Sequence, residues 1–172
     1  MGYNVVAYQV DKNKIKEIWG SNNSEFIDYF LNKYQVNIEE QLDSFEIEEN
    51  IYKSCLKDLV KGEITQESDL NYIYGYIYEM LCLEFGKEIE HDEFLSHLEE
   101  ITEDIYKAFI PIPENDDWPE FYSVEFENIE NSRKLFLDTD EEYAKEEYYI
   151  EEVNLIFDTA LKNKKDIVFF RY

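Results

Sequence analysis

The chain has 172 residues, with 16 Lys+Arg against 41 Asp+Glu and a formal net charge of −25. Its 44% hydrophobic and 17% aromatic content exclude a disordered acidic chain and, at this length, suit one domain spanning residues 1–172. The charge excludes direct binding to nucleic acid or an anionic membrane, since both need a basic stripe and the basic residues are scattered, with no cluster longer than Lys162, Lys164 and Lys165.

Tyr3 to Val10 is rich in β-branched and aromatic residues and reads as a buried strand. Asp11 offers an N-cap to a helix carrying Ile15, Ile18 and Trp19, with Gly20 as its stop. Ser24 is expected to cap a second helix through Phe26, Ile27, Phe30, Leu31 and Tyr34. Val36 to Asn50 is acidic and ambiguous, read as one helical turn within a loop. Ile51 to Lys61 resumes a helical stripe that Gly62 ends.

Ser68 to Phe85 is apolar on all sides, as a central helix must be, and Gly86 closes it. Another helix is predicted from Asp92 to Tyr106. Pro111 and Pro113 then leave Phe109–Pro113 extended and suited to a sheet edge, and 115–119 reads as a loop. Phe121 to Phe126 alternates as a strand does, with Phe121 and Ser123 on one face and Tyr122 and Val124 on the other. Helical patterns follow at Ile129–Leu137 and, most clearly, Asp140–Lys165, with acids early and lysines late to complement the helix dipole. Ile167–Phe170 is a last short strand. This pattern predicts an α+β fold: a small mixed or antiparallel sheet of about four strands, including both terminal ones, packed by helices.

Several features together resemble an uncharacterised family of small bacterial proteins, a domain of unknown function. They are the Met1-Gly2-Tyr3 opening with Tyr8, Val10 and Asp11, the exit Leu59-Val60-Lys61-Gly62-Glu63, and Tyr74-Gly75-Tyr76 leading to Glu79, Leu81 and Cys82. Pro111-Ile112-Pro113 with Asp116-Asp117-Trp118-Pro119, and the closing Val168-Phe169-Phe170, complete the set. More distantly the chain is similar to the YfbM-like proteins, which also start and end with a strand. It departs from these relatives in being far more acidic and tyrosine-rich. The resemblance implies a shared fold and no reaction.

No catalytic or cofactor motif is present: there is no G-x-S-x-G turn, no P-loop and no dinucleotide glycine pattern. His91 and His97 are six apart and Cys55 and Cys82 lie in apolar helical patterns, so neither pair has the close spacing of a zinc site, and no metal is expected. Two segments are candidates for function. The acids Glu141, Glu142 and Glu146, with Asp116, Asp117 and Trp118 on a loop, could meet a basic protein partner in the manner of an immunity or inhibitor protein. Alternatively Tyr74, Tyr76 and Glu79 could line the pocket of a small enzyme or ligand-binding protein, a carboxylate among tyrosines serving as acid or base. Gly75, unfavourable in mid-helix by about 1 kcal/mol relative to Ala, predicts close approach by a neighbouring element. The reading preferred is a non-enzymatic acidic binding protein of the cytoplasm, without cofactor, engaging a basic partner and neither nucleic acid nor membrane.

Overall fold

Four strands form one sheet: β1 (Val5–Val10), β2 (Gly86–Glu88), β3 (Glu120–Val124) and β4 (Asp166–Arg171). The computed structural model that shows this describes residues 5–66, 68–92, 106–115, 119–139 and 142–172. The strand order is β2-β1-β4-β3 with every pair antiparallel, so the two terminal strands lie side by side in the centre. In register, Tyr8 faces Val168, and Tyr122 faces Phe169.

Seven α-helices are present among the described residues: α1 (Lys12–Ile18), α2 (Ser24–Lys33), α3 (Gln35–Phe45), α4 (Glu49–Lys61), α5 (Asn71–Glu84), α6 (Ile129–Leu137) and α7 (Glu147–Asn163). Successive residues of a strand point to opposite faces, and here each face meets its own core. Tyr8, Val10, Phe121, Val168 and Phe170 pack under α1 to α5, while Val5, Ala7, Tyr122, Val124, Ile167 and Phe169 pack under α6 and α7. Burial on both faces explains why Ile167–Phe170 of β4 is an unbroken apolar run rather than an alternating one. The adjacent Phe169 and Phe170 each join a ring cluster on opposite sides of the sheet. Phe169 lies 4.7 Å from Phe136 and 5.7 Å from Phe157, and Phe170 lies 5.7 Å from Tyr78 and 6.0 Å from Phe121.

The α+β class, the four-stranded sheet and the facing pattern of β3 agree with the sequence reading. Other boundaries differ. Asn23, not Ser24, caps α2, its side chain accepting from the Phe26 N–H at 3.1 Å. The acidic stretch Val36–Asn50, expected as one helical turn within a loop, instead forms nearly all of α3 and the first residues of α4. Gly86 opens β2 instead of merely ending α5, pairing with Val10 of β1; a side chain there would meet the Gln9 carbonyl oxygen at 2.3 Å, so the close pairing requires glycine. The segment 109–115 is irregular; the edge contact to β3 comes from Lys107, which bridges Tyr122. The last long helix begins at Glu147, preceded by a 3-10 turn at Glu142–Lys145. The helix expected from Asp92 falls largely on 93–105, outside the described residues. The close approach predicted at Gly75 is present: a Cβ there would lie 3.1 Å from two ring carbons of Pro119.

Candidate functional site

The helices α2, α3 and α4 enclose a cleft of about 520 Å³, within the roughly 300–1,000 Å³ typical of ligand-taking clefts. Apolar side chains of Leu31, Ile38, Leu42 and Tyr52 line it, and Asp28, Glu39 and Glu49 bring carboxylates to it from all three helices. Lys53 is the one cation in its lining.

Each wall is held from behind. Glu84 on α5 accepts from three groups of α2 and its exit: Tyr29 OH at 3.0 Å, Lys33 Nζ at 2.7 Å and Tyr34 OH at 2.9 Å. Burial pushes the Glu84 carboxyl up, but these donors outweigh it and hold it below the usual glutamate value. Tyr52 on α4 turns its hydroxyl inward to Met80 Sδ at 3.2 Å, leaving its ring to the cleft. Lower on α4, Asp58 accepts from Tyr74 OH (2.7 Å), Thr65 Oγ1 (2.7 Å) and Thr65 N–H (3.0 Å), which ties α4 to α5 and to its own exit.

The third wall, α3, is acidic, as are several other stretches of the chain. Residues 34–52 contain Glu39, Glu40, Asp43, Glu46, Glu48 and Glu49 and neither Lys nor Arg. Within α3, Glu39 and Asp43 stand one turn apart, a like-charge spacing that costs about 0.2–0.5 kcal/mol. Its first turn has no acid and its last turn no base, so Asp43 lies toward the end where the helix dipole disfavours negative charge. Gln35 Nε2 donates to Glu39 Oε1 at 2.8 Å and fixes that carboxylate at the cleft. Helix formation here follows from good helix formers, Gln35, Glu39, Glu40, Gln41 and Leu42, with Ile38 buried and Leu42 half-buried one turn apart.

The cations, which appear scattered along the chain, are partly gathered in space. Lys14, Lys87 and Lys165 line one depression at the end of β1, and Lys12 and Lys164 a second beside it. Several are neutralised there: Lys12 lies 3.1 Å from Glu127 and 3.6 Å from Asp166, and Lys165 lies 3.6 Å from Asp11.

The tyrosine segment of α5 does not converge on one pocket. Tyr74 turns to Asp58. Tyr76 stacks on Tyr172 with centroids 6.0 Å apart. Glu79 accepts from Tyr8 OH at 2.7 Å on one oxygen and from Tyr172 OH on the other. Thus Tyr76 and Glu79 share Tyr172, and Tyr74 stands apart. Burial raises the Glu79 carboxyl above its ordinary value, against the lowering by both hydroxyls.

Of the acids singled out from sequence, Glu142 lies in the 3-10 turn and Glu146 precedes α7; both are exposed. Asp116, Asp117, Trp118 and Glu141 lie outside the described residues. The cleft residues have no distinguishing signal in the sequence, because stretches equally acidic and without Lys or Arg, such as 88–106, recur along the chain. Among the described residues no group of three or more His, Cys, Asp or Glu is placed to hold a metal ion. No helix among them is long and apolar enough to cross a membrane.

Over residues 1–172 the chain matches a family described as a domain of unknown function, DUF7691. The protein belongs to that uncharacterised family. No curated protein and no solved structure matches it.

Proposed function

We propose that this is a non-enzymatic binding protein whose acidic surface engages a basic protein partner, as an immunity or inhibitor protein would. The observation that carries the reading is the set of carboxylates, Asp28, Glu39 and Glu49, that three helices bring to one cleft, with Asp43 in the last turn of α3 set against the helix dipole. That arrangement disfavours the free protein slightly and is relieved by an incoming cationic surface. The cleft beside α3 is lined mainly by polar groups, with Leu31 and Leu42 half-buried over the buried Ile38 and Tyr52, so it adds a small apolar floor to the attraction. Glu142 and Glu146, with Asp116, Asp117, Trp118 and Glu141, are proposed as a second acidic contact set, Glu142 and Glu146 standing on the α6–α7 side of the sheet and not at the cleft.

The same proposal includes a bacterial source, a cytoplasmic location and a distant relation to the YfbM-like proteins. Two buried free thiols, Cys55 and Cys82, support a reducing compartment. The alternative, a small enzyme or ligand-binding protein built on Glu79, draws support from the raised carboxyl alone. Both oxygens of Glu79 are already engaged by tyrosines, and Glu79 does not line the cleft.

The test is affinity capture from the native lysate on immobilised protein, with an Asp28→Lys/Glu39→Lys/Glu49→Lys variant in parallel. The expected result is a basic protein retained at low salt, released at moderate salt and lost on the triple variant. Capture of no basic protein at low salt contradicts the proposal.

A further inference from the structure

We infer that the occupant of the α2–α3–α4 cleft is an amphipathic helix of the basic partner, laid with its narrow apolar stripe on Leu31 and Leu42 over the buried Ile38 and its lysines or arginines toward the acids; this rests on the binding reading above.

Charge complementarity selects the sign of the occupant. Asp28, Glu39 and Glu49 approach the cleft from three different helices, so a segment lying in it meets carboxylates on more than one side. Cationic residues on both flanks of an apolar stripe match that layout, whereas a neutral apolar segment would leave the acids unanswered.

The backbone of the walls selects the occupant's conformation. All three bounding elements are helices, whose N–H and C=O groups are used in their own i to i−4 bonds, and the sheet edges belong to β2 and β3, neither of which lines the cleft. An extended segment would find no strand edge to pair with, and its backbone groups would be covered without partners. A helix brings its own backbone bonds and presents only side chains. Spacing of i, i+3, i+4 and i+7 puts its apolar residues on one stripe. A volume of about 520 Å³ admits the apolar side chains of one such face, not a whole helix, which leaves the flanking cations at the level of the acids.

Three fluorescent synthetic peptides of equal length, titrated against the whole protein by anisotropy, provide the test. One carries leucines at helical spacing flanked by lysines; the second has the same composition in strict alternation; the third has glutamate for lysine. The helical basic peptide is expected to bind about tenfold more tightly than the alternating one and to outbind the acidic one at low salt. The double variant E39K/E49K, changed only at exposed positions, is expected to lose about tenfold in affinity for it. Equal or tighter binding of the alternating peptide overturns the helical occupant, as does no binding of the helical one. Binding unchanged in E39K/E49K overturns the cleft as its place. A lysate partner captured through another surface would overturn this inference and leave the binding reading standing. Absence of any basic partner would overturn the binding reading itself.

Discussion

Tyr8 on β1 donates its hydroxyl to Glu79 on α5 at 2.7 Å, joining the central sheet to the helix buried against it, and Tyr172 occupies the other carboxylate oxygen. Burial raises the Glu79 pKa, with the two hydroxyls opposing it. The folded protein therefore holds this proton where the unfolded chain has released it. Its contribution to stability is full below the ordinary glutamate pKa of ~4.3 and is lost as pH rises through the folded value. Replacing Glu79 by Gln removes the titration. The melting temperature of the wild type minus that of E79Q should fall steadily from the acid side toward neutrality; a pH-independent difference contradicts the assignment.

Asp58 behaves with the opposite sign. Burial raises its carboxyl, but Thr65, Tyr74 and Gln66 donate to it and the balance lies below the usual value. Its stabilisation is present above the ordinary aspartate pKa and is lost as pH falls through the lower, folded one. At neutral pH, Asp58→Ala strands the buried Tyr74 hydroxyl and the Thr65 donors. A loss of about 3 kcal/mol is expected, and about 1 kcal/mol for Tyr74→Phe, which leaves Asp58 its other partners. Urea unfolding of both variants measures this; equal losses would place the bond's value elsewhere.

The fold was legible wherever one physical signal dominated. The β-branched and aromatic run before Asp11, the all-round apolar α5 and the alternation of β3 each indicated a single local structure. The signal weakened where tertiary contacts decide. Helix α3 has a narrow apolar stripe among like charges, and what holds it is packing of Ile38 and Leu42, which no local count reveals. Strand β2 is three exposed residues, Gly86–Glu88, defined by pairing with β1 from far along the chain. For the site, Gly75 showed its close approach in advance, yet the partners of Tyr74 and Glu79 came from α4, β1 and the C-terminal end. Helical spacing within α5 could not supply them.

Gly62 ends α4 at φ +80°, and a Cβ there would sit 2.9 Å from the Gly20 Cα. Gly62→Ala combines a left-handed backbone with a backbone clash, so it should destabilise by more than the ~1 kcal/mol of the conformational penalty alone. Thermal unfolding is the check. A neutral result would mean that the loops carrying Gly20 and Gly62 separate freely.

Phe169 and Phe170 supply a matched pair of tests for the two-sided core. Each is fully buried, one under α6 and α7, the other under α1 to α5. Phe→Ala at either position should cost about 3–5 kcal/mol by equilibrium unfolding. A loss under ~1 kcal/mol at one of them would show that its side of the sheet is loosely packed.

The claim that matters most is that the α2–α3–α4 cleft receives the partner, and amide hydrogen exchange with the captured basic protein bound reads it directly. Added protection is expected in the amides of α2, α3 and the start of α4, around Leu31, Ile38, Leu42 and Glu49, with the lysine-lined end of β1 unchanged. Protection confined to the turn at Glu142–Lys145, or to the surroundings of Lys14 and Lys87, with α3 exchanging as in the free protein, would contradict it.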